Sequence, residues 1–242
     1  MSKLYKINII FYILLLNFFY GLAQQSQYSF RRIDISNGLS HNQINTIFED
    51  SRGFMWFGTI SGLNRYDGHS FKIFRNDPKD PFTLKDNYVT KICELPDNNL
   101  WVKSVEGNNC IYDITKDKFL ADQSSFFKKY NLPLFALINV INKNSVFWFL
   151  YPGKGIYKLS PDKAVEPILI GNKNDQSADS SVTDIQFDSK NNIWAIHQNG
   201  IIEKIDAVTN KVIFRSTAFQ SAIIGKQINA FSLFIDNSDE LW

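Results

Sequence analysis

The sequence predicts an all-β chain: a β-propeller of four-stranded antiparallel blades, each about 46 residues long, with an incomplete ring of about four and a half blades. Three observations carry this. The five tryptophans, Trp56, Trp101, Trp148, Trp194 and Trp242, are separated by 45, 47, 46 and 48 residues. Repeats of that period built from short strands are the signature of propeller blades. Each tryptophan also sits in a similar setting. Asp50, Asp188 and Asp236 precede theirs by six residues and Asp97 by four, and Gly62, Gly107, Gly155 and Gly200 follow by six or seven. Finally, no unit contains a 3.6-residue apolar pattern long enough for a helix, while aromatic residues, which suit pleated half-buried surfaces, make up 15% of the chain.

The first 23 residues stand apart. Lys3 and Lys6 precede an apolar run from Ile9 to Tyr20, and Gly21-Leu22-Ala23 ends it. That order of a basic start, a short apolar stretch and a small-x-small site is a secretory signal peptide, cleaved after Ala23. The run is shorter than the roughly 20 apolar residues of a membrane span, and Asn8 and Asn17 interrupt it. An uncleaved N-terminal anchor is the alternative, and either route exports the rest. Residues 24–35, with "QYSFRRIDI", alternate as a strand would and are expected to close the ring by completing the last blade.

Blades are expected near 36–80, 81–128, 129–176, 177–220 and, incomplete, 221–242. In the first, "QINTIFED" alternates, "FMWFGT" is nearly all apolar as in a strand buried on both faces, and "LNRYD" and "SFKIF" alternate again. Gly53, Gly62 and Gly68 mark the turns between them. The regularly spaced tryptophans are expected to pack between blades. In later units Gly58-Thr59 is replaced by Lys103-Ser104, Leu150-Tyr151 and Ile196-His197. A glycine there implies a tight bend or a close backbone approach. The third unit lacks the upstream aspartate and is expected to turn at Asn142-Lys143-Asn144. The chain stops at "DNSDELW", inside the second strand of a fifth unit, so it is expected to be the N-terminal piece of a longer protein.

Charge and composition exclude several functions. The chain carries 26 Lys and Arg against 24 Asp and Glu, and loss of Lys3 and Lys6 with the leader brings it to neutrality. A neutral surface offers no electrostatic footprint for nucleic acid or anionic lipid. Cys93 and Cys110 are too few for a disulfide scaffold; export permits a bridge, but two small core residues is the plainer reading. No cofactor motif is present. His41, His69 and His197 have no second His or Cys at ligand spacing, so no metal site is expected. No phosphate-cradling loop or nucleophile elbow occurs, and no catalytic residue is identified.

The stretch "GLSHNQINTIFEDSRGFMWFGTISGLNRYDGHSFKIF", Gly38 to Phe74, resembles the two-component regulator propeller repeat, with its GLS, D-x-x-G-x-x-W-x-G-T and GL-x-x-Y-D-G elements in place. Later units match only in tryptophan, turn and apolar positions. The resemblance implies the periplasmic sensor region of a hybrid two-component histidine kinase of Bacteroidetes type, here truncated. Such a parent is membrane-anchored and dimeric, and many of its kind detect oligosaccharides and switch on genes for glycan use. The kinase itself has no counterpart in this chain. Two rivals stand beside this reading: a propeller glycoside hydrolase or lyase, and a non-catalytic protein-interaction propeller. "DSRGFMW" has some likeness to a turn of sialidase propellers, where it is structural. A glycosidase needs two facing carboxylates, which one sequence cannot pair.

For a sensor, ligand binds where loops converge on one face. Segments entering the first strand and leaving the second share that face. The candidate ligand-binding residues are therefore Ser40, His41, Asn42 and Ser61 in the first blade and His197 and Asn199 in the fourth. The same short polar side chains are ordinary turn caps as well.

Overall fold

A computed structural model describes residues 30–135, 137–161, 163–168, 181–223 and 231–242. The expected leader, residues 1–23, and the start of the expected closing strand lie outside the described residues. From Asp34 onward the chain forms one compact unit. It contains four sheets, each of four antiparallel strands in chain order. Blade 1 holds β1 (Ile44–Glu49), β2 (Met55–Thr59), β3 (Gly62–Tyr66) and β4 (Phe71–Phe74). Blade 2 holds β5 (Val89–Glu94), β6 (Leu100–Ser104), β7 (Asn109–Asp113) and the short β8 (Lys118–Phe119). In blade 3, β9 (Asn139–Lys143), β10 (Val146–Tyr151), β11 (Gly155–Leu159) and β12 (Glu166–Ile168) follow. Blade 4 is β13 (Val182–Phe187), β14 (Ile193–His197), β15 (Ile202–Ile205) and β16 (Val212–Ser216). Residues 231–242 contribute only an isolated Ile235–Leu241 bridge. This is propeller architecture without a closed ring.

One local expectation is corrected. Residues 30–34 carry no strand of their own, and Ile35–Asn37 is a 3-10 turn capped by Asp34, whose carboxylate accepts the Ser36 N–H. A strand needs a neighbour's backbone for its hydrogen bonds, and the blade that this segment was expected to complete is not among the described residues. A helix, absent from the expected pattern, does form: α1 (Ser124–Lys129) lies in the connection from β8 to β9, and a single-turn α2 (Gln220–Ile223) follows β16. α1 is too short to show a period in sequence. Tertiary packing holds it, with Phe126 buried and its ring 6.4 Å from that of Phe149 in blade 3. No helix among the described residues is long and apolar enough to cross a membrane.

The turn between the first two strands repeats with one hydrogen-bond pattern. Asp50 N–H donates to Phe54 C=O, and the same bond recurs as Leu95 to Asn99, Asp188 to Asn192 and Asp236 to Glu240. The carboxylate organises it. Asp50 accepts the N–H groups of Arg52 and Phe54, each at 3.0 Å, and the indole N–H of Trp56 at 2.9 Å. In blade 2 the register places Leu95, not Asp97, at this position. Trp101 Nε1, fully buried, is thereby left with no hydrogen-bond partner. In blade 3 the turn centres on Asn144 and Ser145, both with positive φ (54° and 63°), rather than on Asn142, which pairs with Phe147 inside the sheet. Two successive left-handed residues make the hairpin turn whose twist matches its strands.

The core lies between blades. Trp56 packs with Leu63 of its own blade and with Leu100, Val102 and Tyr112 of the next. Trp101 belongs to the cluster joining blades 2 and 3, and Trp148 to that joining blades 3 and 4. Trp194 is half-buried against Leu233 and Leu241. Trp242, the last residue of the sequence, is 72% exposed, and its indole N–H lies 3.5 Å from Asp236 Oδ2, six residues ahead of it as Asp50 is of Trp56.

Gly58 has a different reason from a tight bend. A Cβ there would lie 2.6 Å from both Thr46 Cγ2 and Val89 Cγ1, so blade 2 approaches blade 1 across the bare backbone. Gly62 has φ of 128°, and a Cβ on it would meet Phe74 C=O at 2.6 Å. Both cysteines are buried and unpaired. Burial pushes the Cys93 thiol up to about 11 and that of Cys110 up to about 12. Since the thiolate is the reactive species, neither is expected to react with a thiol reagent at neutral pH before denaturant is added. Rapid stoichiometric labelling of the native protein would contradict this placement.

Candidate functional site

Antiparallel order sends the segment entering each first strand and the turn after each second strand to the same end of the blade. In blade 1 that end is built by a buried pair, Thr59 and Asn64, both with no exposed surface. Ser40 N–H donates to Asn64 Oδ1 at 2.9 Å, and Asn64 Nδ2 donates to Ser40 Oγ at 2.8 Å. The Ser40 and Thr59 hydroxyls are 2.8 Å apart, and Ser61 N–H donates to Thr59 Oγ1 at 3.0 Å. The structure thus joins Ser40 and Ser61 through Thr59. His41 Nδ1 accepts the Gln43 N–H, and Asn42 Oδ1 accepts that of Ile35.

The blade 4 pair has its own surroundings. His197 is 1% exposed and its Nε2 lies 3.1 Å from Glu203 Oε2. Glu203 Oε1 also accepts Nε and Nη2 of Arg215, each at 2.8 Å. Burial alone would raise the Glu203 pKa; the contacts from His197 and Arg215 outweigh it and hold the carboxyl below its ordinary range. His197 therefore faces a buried carboxylate rather than the loop surface. Asn199 Oδ1 accepts Ile201 N–H at 3.1 Å, closing its own turn.

None of these six residues lines the two cavities described next. A cavity of about 630 Å³ lies beside blade 2, at the end where the β6–β7 turn and the β8–β9 connection meet. Trp101, Asn109, Gln123, Phe127, Phe135 and Leu137 are among its walls. Asn109 Nδ2 donates to Leu137 C=O at 2.6 Å, and Gln123 Nε2 to Asn109 C=O at 2.8 Å, so these amides are held in place. Asn109 Oδ1 has no hydrogen-bond partner. Leu134 and Phe135 are 58% and 55% exposed on the rim, with the Lys154 ammonium 5.0 Å from the Phe135 ring. Asp122, also in the wall, accepts Ser124 N–H and Oγ, which hold its carboxyl below the ordinary value. Aromatic faces beside fixed neutral amides suit a ligand with apolar faces and hydroxyl edges. A second cavity of about 510 Å³ lies across the β5–β6 and β9–β10 turns, lined by Glu94, Tyr130, Asn142 and Phe147 among others.

The cavity residues escaped sequence reasoning because they lie off the repeat. The available signal was the connection over 120–138, longer than those over 75–88 and 169–181 and carrying the apolar Leu134-Phe135 in a loop. Long connections with exposed apolar side chains are where propellers place function.

Comparison with known proteins fits this architecture. Residues 38–61 match the two component regulator propeller family. Histidine kinase P4 of Formosa agariphila is 42% identical over 62 residues, 26% of this chain and 4% of that protein. An extracellular domain from B. thetaiotaomicron, assigned to a hybrid two component system, superposes with a TM-score of 0.55 at 22% identity, over 89% of this chain and 30% of that one. A second structure, whose assignment is to a one component system of the same organism, gives 0.52 at 22% identity over 90% and 31%. The chain thus spans about a third or less of each of these proteins, and the two structures speak to its fold.

Proposed function

We propose that this chain is a two-component regulator propeller protein and forms part of the exported, ligand-sensing region of a sensor histidine kinase. The observation that carries this is the first blade, whose D-x-x-G-x-x-W-x-G-T segment falls within the matched residues 38–61. The ligand class we propose is an oligosaccharide, received in the cavity beside blade 2. Neutral amides at Asn109 and Gln123 and the rings of Phe127 and Phe135 support that choice. In this reading the chain is not itself an enzyme. The parent is anchored in the inner membrane, dimeric, and regulates genes for glycan use from a periplasmic sensor.

A ligand can bias the kinase only through different affinities for two arrangements of the sensor. One held between blade 2 and the 120–138 connection would favour the arrangement in which that connection is seated. The test is calorimetric titration with a panel of neutral oligosaccharides, with product analysis alongside. Saturable binding without turnover is expected, weakened about tenfold by Phe135→Ala through loss of one ring contact. Turnover would replace this reading with a glycoside hydrolase or lyase. Neither binding nor turnover across the panel would leave a protein-interaction propeller. In the full-length parent, saturating ligand is expected to change autophosphorylation; an unchanged rate rejects the signalling step.

A further inference from the structure

The inner strands carry a recurrent irregularity. In β1, β5 and β13 the pairing with the second strand slips by one residue, between Ile44 and Thr46, Val89 and Lys91, and Val182 and Asp184. Such bulges re-aim the side chains beside them and cluster near functional sites. The extra residues are put to structural use. Asn45 Nδ2 donates to Val89 C=O of the next blade at 2.9 Å, Thr90 Oγ1 to Lys103 C=O, and Thr183 Oγ1 to the C=O groups of Ile196 and Phe231.

The residues just past the bulge are equivalent among blades but chemically different. Thr46 faces Gly58 and Asp184 faces Ile196, whereas in blade 2 Lys91 faces Lys103. Like charges directly opposite on neighbouring strands are destabilising, and both lysines are half-buried. Lys103 Nζ donates to Ile138 C=O at 2.8 Å, a neutral acceptor. The acidic side chain whose charge reaches both is Asp184, and it already accepts the N–H groups of Leu233 at 3.0 Å and Ile185 at 2.9 Å. Beside Lys91 lies also the Cys93 thiol, which burial keeps protonated. Burial pushes both ammonium groups below their ordinary values and pushes Asp184 up, and the attraction between the carboxylate and the two lysines offsets this only in part. Among the described residues, Asp184 is the carboxylate that reaches both cations.

We propose that Lys91 and Lys103 form an anion site at the inner edge of blade 2, taking a single oxyanion group, carboxylate or sulfate, of a small ligand. An anion between the two ammonium groups removes their repulsion and gains two charge-assisted hydrogen bonds. The site is separate from the cavity that the proposed function uses, and it stands or falls independently of it.

The experiment is thermal unfolding of the whole chain in chloride, sulfate, sodium glucuronate or glucose, at matched ionic strength. A midpoint raised by sulfate or glucuronate, but not by glucose, is expected, and the stronger of the two identifies the group. Lys91→Met keeps the aliphatic stem. It is expected to match or exceed the wild-type midpoint in chloride, and to weaken anion affinity about tenfold or more. Lysine side-chain NMR supplies a readout independent of stability: the Lys91 and Lys103 signals are expected to move on titration with sulfate. An identical anion response in wild type and Lys91→Met, or lysine signals unmoved by either anion, overturns the proposal.

Discussion

Trp56→Ala is expected to destabilise the protein by about 3–5 kcal/mol, the range for emptying a buried aromatic site. Trp56 has no exposed surface. Its ring is stacked 5.8 Å from Phe74 and sits edge-on 5.3 Å from Tyr112, so it touches both its own blade and the next. Arg65 lies over the ring at 5.8 Å and is itself tied to Asp117 of blade 2 at 3.0 Å. Lys72 and the Tyr112 hydroxyl converge on the same carboxylate. Removing the ring therefore opens a cavity at the seam where blade 1 meets blade 2, and neither sheet can close it without breaking this cross-blade network. Urea denaturation of the variant checks it. A loss under about 1 kcal/mol would mean that the seam collapses freely and that the tryptophan is not an inter-blade strut.

Asp50→Ala is expected to cost about 3–5 kcal/mol by a different route. It leaves four donors without their acceptor, the N–H groups of Arg52 and Phe54, the Arg52 guanidinium and the buried Trp56 indole, and an orphaned buried donor costs about 1–3 kcal/mol. The penalties are not additive with those of Trp56→Ala, since the two side chains are bonded to each other. The double variant is expected to lose less than the sum of the singles. A pH signature accompanies the stability change. Burial would raise the Asp50 pKa, but the hydrogen bonds from Trp56, Phe54 and Arg52 outweigh it and hold it below the ordinary 3.8. A depressed folded pKa contributes stability above the ordinary carboxylate range, lost as pH falls through the folded value. The wild-type midpoint should thus fall as pH drops below about 4, and Asp50→Ala should fall less steeply there. Parallel acid limbs in the two proteins would show that Asp50 is not a stabilising anion.

Most of the architecture was legible in the sequence because a propeller writes its fold once per blade. The tryptophan period, the aspartate six residues ahead and the glycine six after are local features, each tied to a turn or a seam. Legibility failed where a copy departs from the pattern. Asp97 resembles the turn aspartate, but the turn's hydrogen bonds place Leu95, six residues ahead of Trp101, at that position, so blade 2 keeps the spacing and loses the carboxylate. α1 left no period because a six-residue helix spans under two turns and takes its stability from Phe126 packing into the next blade.

The candidate residues were legible in the sequence, but the bonds they make were not. The loops around Ser40, Ser61 and Asn199 were picked for their polarity, yet turn and strut bonds already occupy them, and His197 is drawn inward to Glu203. A cavity to which none of them contributes stands where the connection over 120–138 meets blade 2.

By itself the sequence determined the blade, its strand order and its turn chemistry, and, in the first repeat, a likeness to the two component regulator propeller family. Those are consequences of periods shorter than one unit, set by strand alternation and by which residues tolerate a left-handed backbone. Only the tertiary structure decided what lies between units: Val89 beside the bare Gly58, Lys91 opposite Lys103, Asp184 within reach of both, and the cavity wall of Asn109 and Phe135. Such contacts join residues dozens of positions apart, and their chemistry depends on how neighbouring sheets are seated, which no single repeat encodes.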